Sequence, residues 1–391
     1  MKAFLKTAAL LVLTCLMILF APTVRAAGSR TSFPDGEVRG LWIGWNSFMV
    51  YEMTDMNEKD FKNLIARLLD RAQEWGCNTV FWQVRAFDDA TWKSKTFRAS
   101  VWLSSDASKD KTAAETYRYD PLKVVIRLCR ERNMKIHAWL NPYRITQERY
   151  YDPSSPVPLR RVLRAIEELG EYDLDGIHID DYFYSAKEDY VIPAEKDTYA
   201  ITPSEEVIFS KYDVPQKQIR YFWVNEMLRQ VYKKTHEHDG WIFGVSPSGN
   251  PAYNVIYGAD VEGWMQAGTP DYMDYIIPQI YWTNRWGEDP QNTVKMYSER
   301  LEWFTSRNEK GIPMCVGLYA DRTFEKSSTD LGWELDTNNL AEQAREAHEK
   351  GLRGFVLFSA DCLLNPGSET ELENLKKFIF PENNEQDVRE E

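Results

Sequence analysis

The 391-residue chain lacks the residue spacings that hold metals. Its five cysteines and five histidines contain no CxxC pair and no histidine-rich ligand spacing. No glycine-rich turn follows the first apolar segment, which argues against dinucleotide or phosphate binding. There is no low-complexity linker and no short internal repeat, so a single domain is expected. The chain also has no run long enough to span a bilayer: its longest, TAALLVLTCLMILFA, is about 15 residues against the roughly 20 required. Positive charge is in deficit, with 47 Lys and Arg against 60 Asp and Glu and a net charge of −13. Such a surface repels nucleic acid and anionic membranes, and neither is expected as a partner.

The short apolar run has a different use. MKAFLK is a basic start, and Val24-Arg25-Ala26 offers the small residue a signal peptidase needs. Residues 1–26 therefore read as a secretory signal peptide cut before Ala27, which implies export and no stable membrane insertion afterwards. Thr14 ahead of Cys15 argues against lipidation. Cleavage removes Lys2, Lys6 and Arg25 and no acid, making the mature chain more acidic. The remaining Cys77, Cys129, Cys315 and Cys362 are scattered among apolar residues and are expected as small buried thiols.

Aromatics are plentiful, with 14 tryptophans and 21 tyrosines, flat half-polar rings that suit sugar faces. Apolar runs alternate with helical patterns eight times. The strand candidates are 38–45, 78–85, 135–143, 175–183, 241–249, 274–282, 313–320 and 354–360. Helical segments are expected near 58–75, 121–132, 158–171, 216–238, 260–267, 290–308, 338–350 and 370–380. This alternation predicts an α/β fold, a (β/α)₈ TIM barrel over 27–380, rather than an open doubly wound sheet. Long loops, 86–119 and 184–214, would lie at its C-terminal face, and 381–391 reads as a disordered tail.

Alternate strand residues face a barrel's interior, and here they turn polar toward each strand's end. Gln83 and Arg85, His137, Trp139 and Asn141, His178 and Asp180, Ser246 and Ser248, and Gln279 and Tyr281 follow that parity. A coincidence on five strands calls for a shared polar network or a ligand, because unpaired buried polar groups cost several kcal/mol. The stretch DGIHIDDYFY adds Asp181 beside Asp180. Adjacent carboxylates suit glycoside hydrolysis, which needs one ionised and one protonated acid. Asp180 is expected as nucleophile or charge stabiliser, partly by fold analogy, and Asp181 as general acid. With N-acetyl sugars the substrate's own amide could attack instead. Asp260 and Glu262 are competing proton donors, or simply an acidic first helical turn. Arg85 is expected to hold a carboxylate, Asp180 included. His178 reads as a network member, with a His178–Asp180 metal site as the alternative. Trp139, Trp282 and Trp286 are candidate stacking platforms, and His236-Glu237-His238 a solvated helix end.

VRGLWIGW, NTVFWQVR, IHAWLNPYR, DLDGIHIDDYFY, FGVSPSGN, IIPQIYW and GFVLFSA occur in that order, and together they resemble the blocks of the glycosyl hydrolase-like family 10. The resemblance spans residues 37 to about 366. It implies a (β/α)₈ barrel exported to the bacterial envelope and acting on glycans, cell-wall glycan strands (peptidoglycan) foremost, without a cofactor. Carried over by position, the functional motif falls on His178, Asp180, Asp181, Tyr182 and Tyr184, with Arg85, Asn141, Tyr143, Gln279 and Tyr281 around the pocket. Ala86 and Asp88-Asp89 stand where the family has a proline and a Gly-Asp, and DPSSPVP is shorter than the family's stretch. A glycan-binding barrel without catalysis is the rival reading. A lyase or aldolase would need a Schiff-base lysine at a strand end, and none stands there.

Overall fold

The computed structural model describes residues 36–108, 110–185, 190–191, 216–268, 271–325 and 327–381. The expected signal peptide, most of the loop after the fourth strand and the expected tail beyond residue 381 lie outside these residues.

The strands β1 (Val38–Ile43), β2 (Thr79–Arg85), β3 (Lys135–Leu140), β4 (Gly176–Ile179), β5 (Ile242–Val245), β6 (Tyr275–Ile276), β7 (Val316–Leu318) and β8 (Gly354–Leu357) form one parallel sheet. Their spatial order is β6-β5-β4-β3-β2-β1-β8-β7. The outer strands meet through Ile276 N to the Pro313 carbonyl (3.0 Å), Cys315 N to Ile276 (3.1 Å), Gly317 N to Pro278 (2.9 Å) and Ile280 N to Gly317 (3.1 Å). These bonds close the sheet on itself, and the expected (β/α)₈ barrel results. Each strand is followed by a helix on the outside: α1 (Glu58–Glu74), α2 (Pro121–Glu131), α3 (Pro156–Leu169), α4 (Gln216–Thr235), α5 (Val261–Ala267), α6 (Met296–Arg307), α7 (Asn339–Glu349) and α8 (Glu369–Ile379).

The helices form for local reasons and hold for packing reasons. In α1 the Asn57 side chain caps Asp60 N at 3.0 Å. Phe61, Ile65, Leu68, Leu69 and Ala72 recur at helical spacing and are buried against the sheet. Each large apolar side chain so buried stabilises by about 1.5–3 kcal/mol, and Leu68→Ala would cost about 2–5 kcal/mol through the cavity it leaves. Inside the barrel, Trp42, Phe81, His137, His178 and Tyr275 crowd into one layer with ring centroids about 5–6 Å apart. Gly244 makes room for it, since a Cβ there would lie 1.9 Å from the Tyr275 ring.

The loop after β2 is tied down. Tyr117 donates its hydroxyl to the Ala90 carbonyl at 2.7 Å and accepts from Ser100 N at 2.9 Å. Glu168 of α3 accepts from Ser94 Oγ (2.7 Å) and Thr96 Oγ1 (2.6 Å). Cys77, Cys129, Cys315 and Cys362 are buried free thiols. Burial pushes the first three up to about 12, so they are inert. Among the described residues no helix is long and apolar enough to cross a membrane.

Candidate active site

β4 ends at Ile179, and Asp180, continuing the inward parity of His178, stands at the C-terminal mouth with 3 % of its surface exposed. The chain bends at Asp181. That bend aims the second acid across the barrel, where Gln279 Nε2 donates to its Oδ1 at 3.4 Å and to the Ser246 carbonyl at 2.9 Å. Asp180 Oδ1 accepts from Tyr182 N, also at 3.4 Å. Among the described residues neither acid makes an ion pair. Both are held by long, weak bonds and keep most of their acceptor capacity.

The pair shares one electrostatic problem. Burial, then the Asp181 charge, raise the Asp180 carboxyl well above the usual carboxylate range, opposed by Arg144, Tyr182 N and Trp139. Burial raises Asp181 to about 6, opposed by a backbone hydrogen bond, Gln279 and Arg144. Asp181 is the more exposed of the two. Each acid's charge disfavours ionisation of the other, so the pair loses its two protons in separate steps with a singly protonated range between them.

A cavity of about 200 Å³ opens on Asp180, bounded by Trp139, Arg144, Tyr182, Gln279 and Tyr281, with Trp42, Trp45, Gln83, Ser246, Tyr319 and Phe358 completing it. It is smaller than the roughly 300–1,000 Å³ of drug-sized ligand sites. Gln83 accepts from Trp45 N at 2.9 Å. Gly44 permits that approach, because a Cβ there would lie 2.8 Å from both Gln83 Oε1 and the Trp139 ring. A larger cavity of about 550 Å³ beside Asp55, Glu58 and Arg118 contains no coupled acid pair. Size does not mark the site; the chemistry does.

Residues 37–149 and 145–330 match the family described as "Glycosyl hydrolase-like 10". The chain belongs to that family. It is 29% identical over 303 residues to the glycosyl hydrolase YngK of Bacillus subtilis, covering 64% of this chain and 55% of that protein. The chain thus spans about half the length of that relative. To the glycosyl hydrolase DigH of Escherichia coli K12 it is 26% identical over 408 residues, covering 85% of each. Among solved structures it resembles a β-galactosidase from the psychrophilic Marinomonas ef1 (TM-score 0.54, 9% identity, 89% of this chain and 60% of that one). It also resembles the catalytic domain of a Paenibacillus polymyxa β-amylase (TM-score 0.51, 12% identity, 89% of this chain and 99% of that one). At these identities the structural likeness is one of fold.

Within this glycosyl hydrolase-like 10 barrel, Asp180, Gln83, Trp139, Tyr182, Gln279 and Tyr281 line the cavity, and Asp181 adjoins it through Gln279. Other expected site residues lie elsewhere. At the end of β2, Val84 and Arg85 together oppose the single Leu140. This bulge turns Arg85 out of the barrel, where it donates to the Asn141 carbonyl and, at 3.3 Å, to Asp88. Arg85 holds a carboxylate, but Asp88 rather than Asp180. Asn141 is a clamp, its amide donating to the Ala86 carbonyl at 3.0 Å. Tyr143 and Tyr184 are buried in the core outside the sheet. Trp282 packs against that same core, and its carbonyl accepts from Gln343 at 2.8 Å.

His178 lies beneath the cavity. Its Nε2 accepts from the Trp42 indole at 3.4 Å, so Nδ1 carries the proton toward the Tyr275 hydroxyl at 3.3 Å, which in turn faces His137 Nδ1 at 3.1 Å. Burial, with His137 nearby, depresses its pKa well below the ordinary value, keeping the ring neutral. Both ring nitrogens are engaged, which removes His178 from substrate contact and from a metal-ligand role. Asp260 caps α5 through Gly263 N at 3.3 Å, and Glu262 pairs with Arg307 at 2.7 Å. Neither competing donor lines the cavity.

Sequence reasoning passed over Arg144. Its guanidinium stacks 3.8 Å from the Tyr182 ring and 5.1 Å from Phe87, is 6 % exposed, and makes no ion pair with a described residue. It ends the HAWLNPYR motif, just past the point where strand parity can be counted. Trp42, Tyr319 and Phe358 follow the inward parity of β1, β7 and β8, but they are not among the polar residues by which the mouth was read.

Proposed function

We propose that this protein is an exported glycoside hydrolase that cleaves a bacterial cell-wall polysaccharide or a related glycan, peptidoglycan strands foremost, by paired-carboxylate chemistry. The observation that carries this reading is the coupled Asp180–Asp181 pair at the rim of the cavity. A singly protonated pair supplies a proton donor for the leaving oxygen and an anion for the developing oxocarbenium charge. We assign Asp180, the deeper acid, as donor and Asp181, more exposed and oriented by Gln279, as the ionised partner. That reverses the division of roles expected from strand analogy. On N-acetyl sugars Asp181 would instead orient the substrate's amide for internal attack, with Asp180 still protonating the leaving group.

Two measurements test this. Glycan strands with and without stem peptides, digested by the full chain and examined by mass spectrometry, are expected to show new reducing ends. Saturable binding without such ends would leave a glycan-binding barrel. Dinitrophenyl glycosides, whose leaving group needs no proton, then separate the roles. Asp180→Asn is expected to keep cleaving them, and Asp181→Asn to lose activity on both substrate types; the opposite pattern would restore the original assignment.

A further inference from the structure

Next to the catalytic cavity lies a second one of about 540 Å³, between the loop after β2 and the turn after β3. Phe87, Val101, Trp102 and Ile145 line it with apolar surface, while Arg98, Gln147 and Arg149 bring donors and Asp89 and Glu148 carboxylate acceptors. The two spaces adjoin across a single layer of side chains. Trp45, which lines the catalytic cavity, has its ring 5.5 Å from Trp102 and 5.7 Å from Phe87. Arg144, also on the catalytic side, lies 5.1 Å from the Phe87 ring.

We infer that this second cavity is a distal sugar-binding subsite, which takes the continuation of a glycan chain whose reacting residue sits over Asp180. The inference rests on the hydrolase reading above and adds where a chain substrate continues beyond its reacting residue. Three observations support it. The wall pairs apolar and aromatic surface with guanidinium and amide donors and carboxylate acceptors, the combination that meets a pyranose's C–H face and its hydroxyls together. Val101 leaves 46 % of its surface in solvent beside the partly exposed Trp102, apolar area that a ligand would cover. The loop carrying both is anchored through Tyr117 and Glu168, so binding would not have to order it.

The test uses the full chain bearing Asp180→Asn, titrated calorimetrically with β-1,4-linked N-acetylglucosamine oligomers of two and six units. Affinity is expected to rise with chain length. Adding Trp102→Ala is expected to collapse the hexamer-to-dimer affinity ratio by about tenfold, the scale of one aromatic contact. Val101→Asp, a surface change that does not threaten the fold, is expected to act in the same direction. Equal losses for dimer and hexamer, or no length dependence at all, would overturn the subsite. Length-dependent binding by a wild-type chain that releases no reducing ends would overturn the hydrolase reading and leave the subsite standing.

Discussion

Two pairs of acids stand at the same end of the barrel, each with one buried and one partly exposed member, and the first pair meets the cavity described above. Asp180 and Asp181 follow β4; Asp321 and Asp361 follow β7 and β8. Burial raises all four carboxyls, Asp321 to about 7. They differ in how their oxygens are used. Asp321 accepts from Ser359 N at 2.9 Å and Ser359 Oγ at 2.8 Å, and Asn46 donates to Asp361 at 3.1 Å. The β4 pair accepts at 3.4 Å from Tyr182 N and Gln279, and near it lies the Arg144 guanidinium, which makes no ion pair among the described residues. A raised carboxyl pKa alone therefore does not identify a reactive acid. Asp321, with both oxygens in short bonds, is tied down as a structural acid, although Asp361 Oδ1 has no partner among the described residues; weakly held oxygens facing a cavity are the better candidates for chemistry.

The strongest break in that comparison is chemical. Asp180→Asn is expected to lower kcat on glycan by about 10²–10⁴-fold, the range general acid catalysis supplies, while binding stays measurable. Asp361→Asn, at the second pair, is expected to leave kcat within a few-fold. Steady-state rates on one substrate decide both, and equal losses at the two pairs would erase the distinction.

Arg144 sharpens the difference further, because it is the cation that both β4 acids feel and that no described carboxylate neutralises. It lowers their pKa values. The proposed mechanism needs the pair singly protonated, so the wild-type rate should rise as pH passes about 6, to which burial raises Asp181. Removing the cation with Arg144→Gln raises the carboxyl pKa values, and the acid limb of the pH–rate profile should move to higher pH by roughly one unit. An unmoved limb would mean that Arg144 serves substrate contact alone.

The barrel was legible because its signals are periodic. Parity over Gln83, His137, Trp139, His178, Asp180 and Ser246 reports the inward face directly, and it matches the structure. Legibility failed where a strand departs from regularity. The run 274–282 reads as one strand, yet β6 is only Tyr275–Ile276, since Pro278 has no N–H for the ladder and single bridges at Gln279 continue the pairing. Arg85 keeps inward parity on paper, and the bulge at Val84 reverses it. Asn141, Tyr143 and Arg144 lie beyond the end of β3, where the alternation no longer specifies a face. The second acid of the pair was visible as a residue, but its direction depends on the bend at Asp181, which has no periodic signature.

Smaller effects probe the second pair's stability. The folded-state pKa of Asp321 lies near 7, above its ordinary 3.8. Its favourable contribution is therefore present below about 4 and is lost as pH rises through about 7, because the unfolded chain ionises first. Thermal melting of the wild type is expected to weaken from pH 5 to 8, and Asp321→Asn to flatten that slope. A slope unchanged by the substitution would place the pH dependence in other groups.

The smallest expected effect belongs to Tyr143, a family-position residue that the structure removes from the site. Its side chain is fully buried in the outer core and its hydroxyl has no hydrogen-bond partner among the described residues. A buried, unpaired hydroxyl costs stability rather than adding to it. Tyr143→Phe should accordingly keep kcat and KM at wild-type values and leave the melting temperature equal or slightly higher. Were the variant instead to lose glycan affinity with its melting temperature intact, Tyr143 would belong with the first pair's pocket after all, because only a substrate contact would respond in that way.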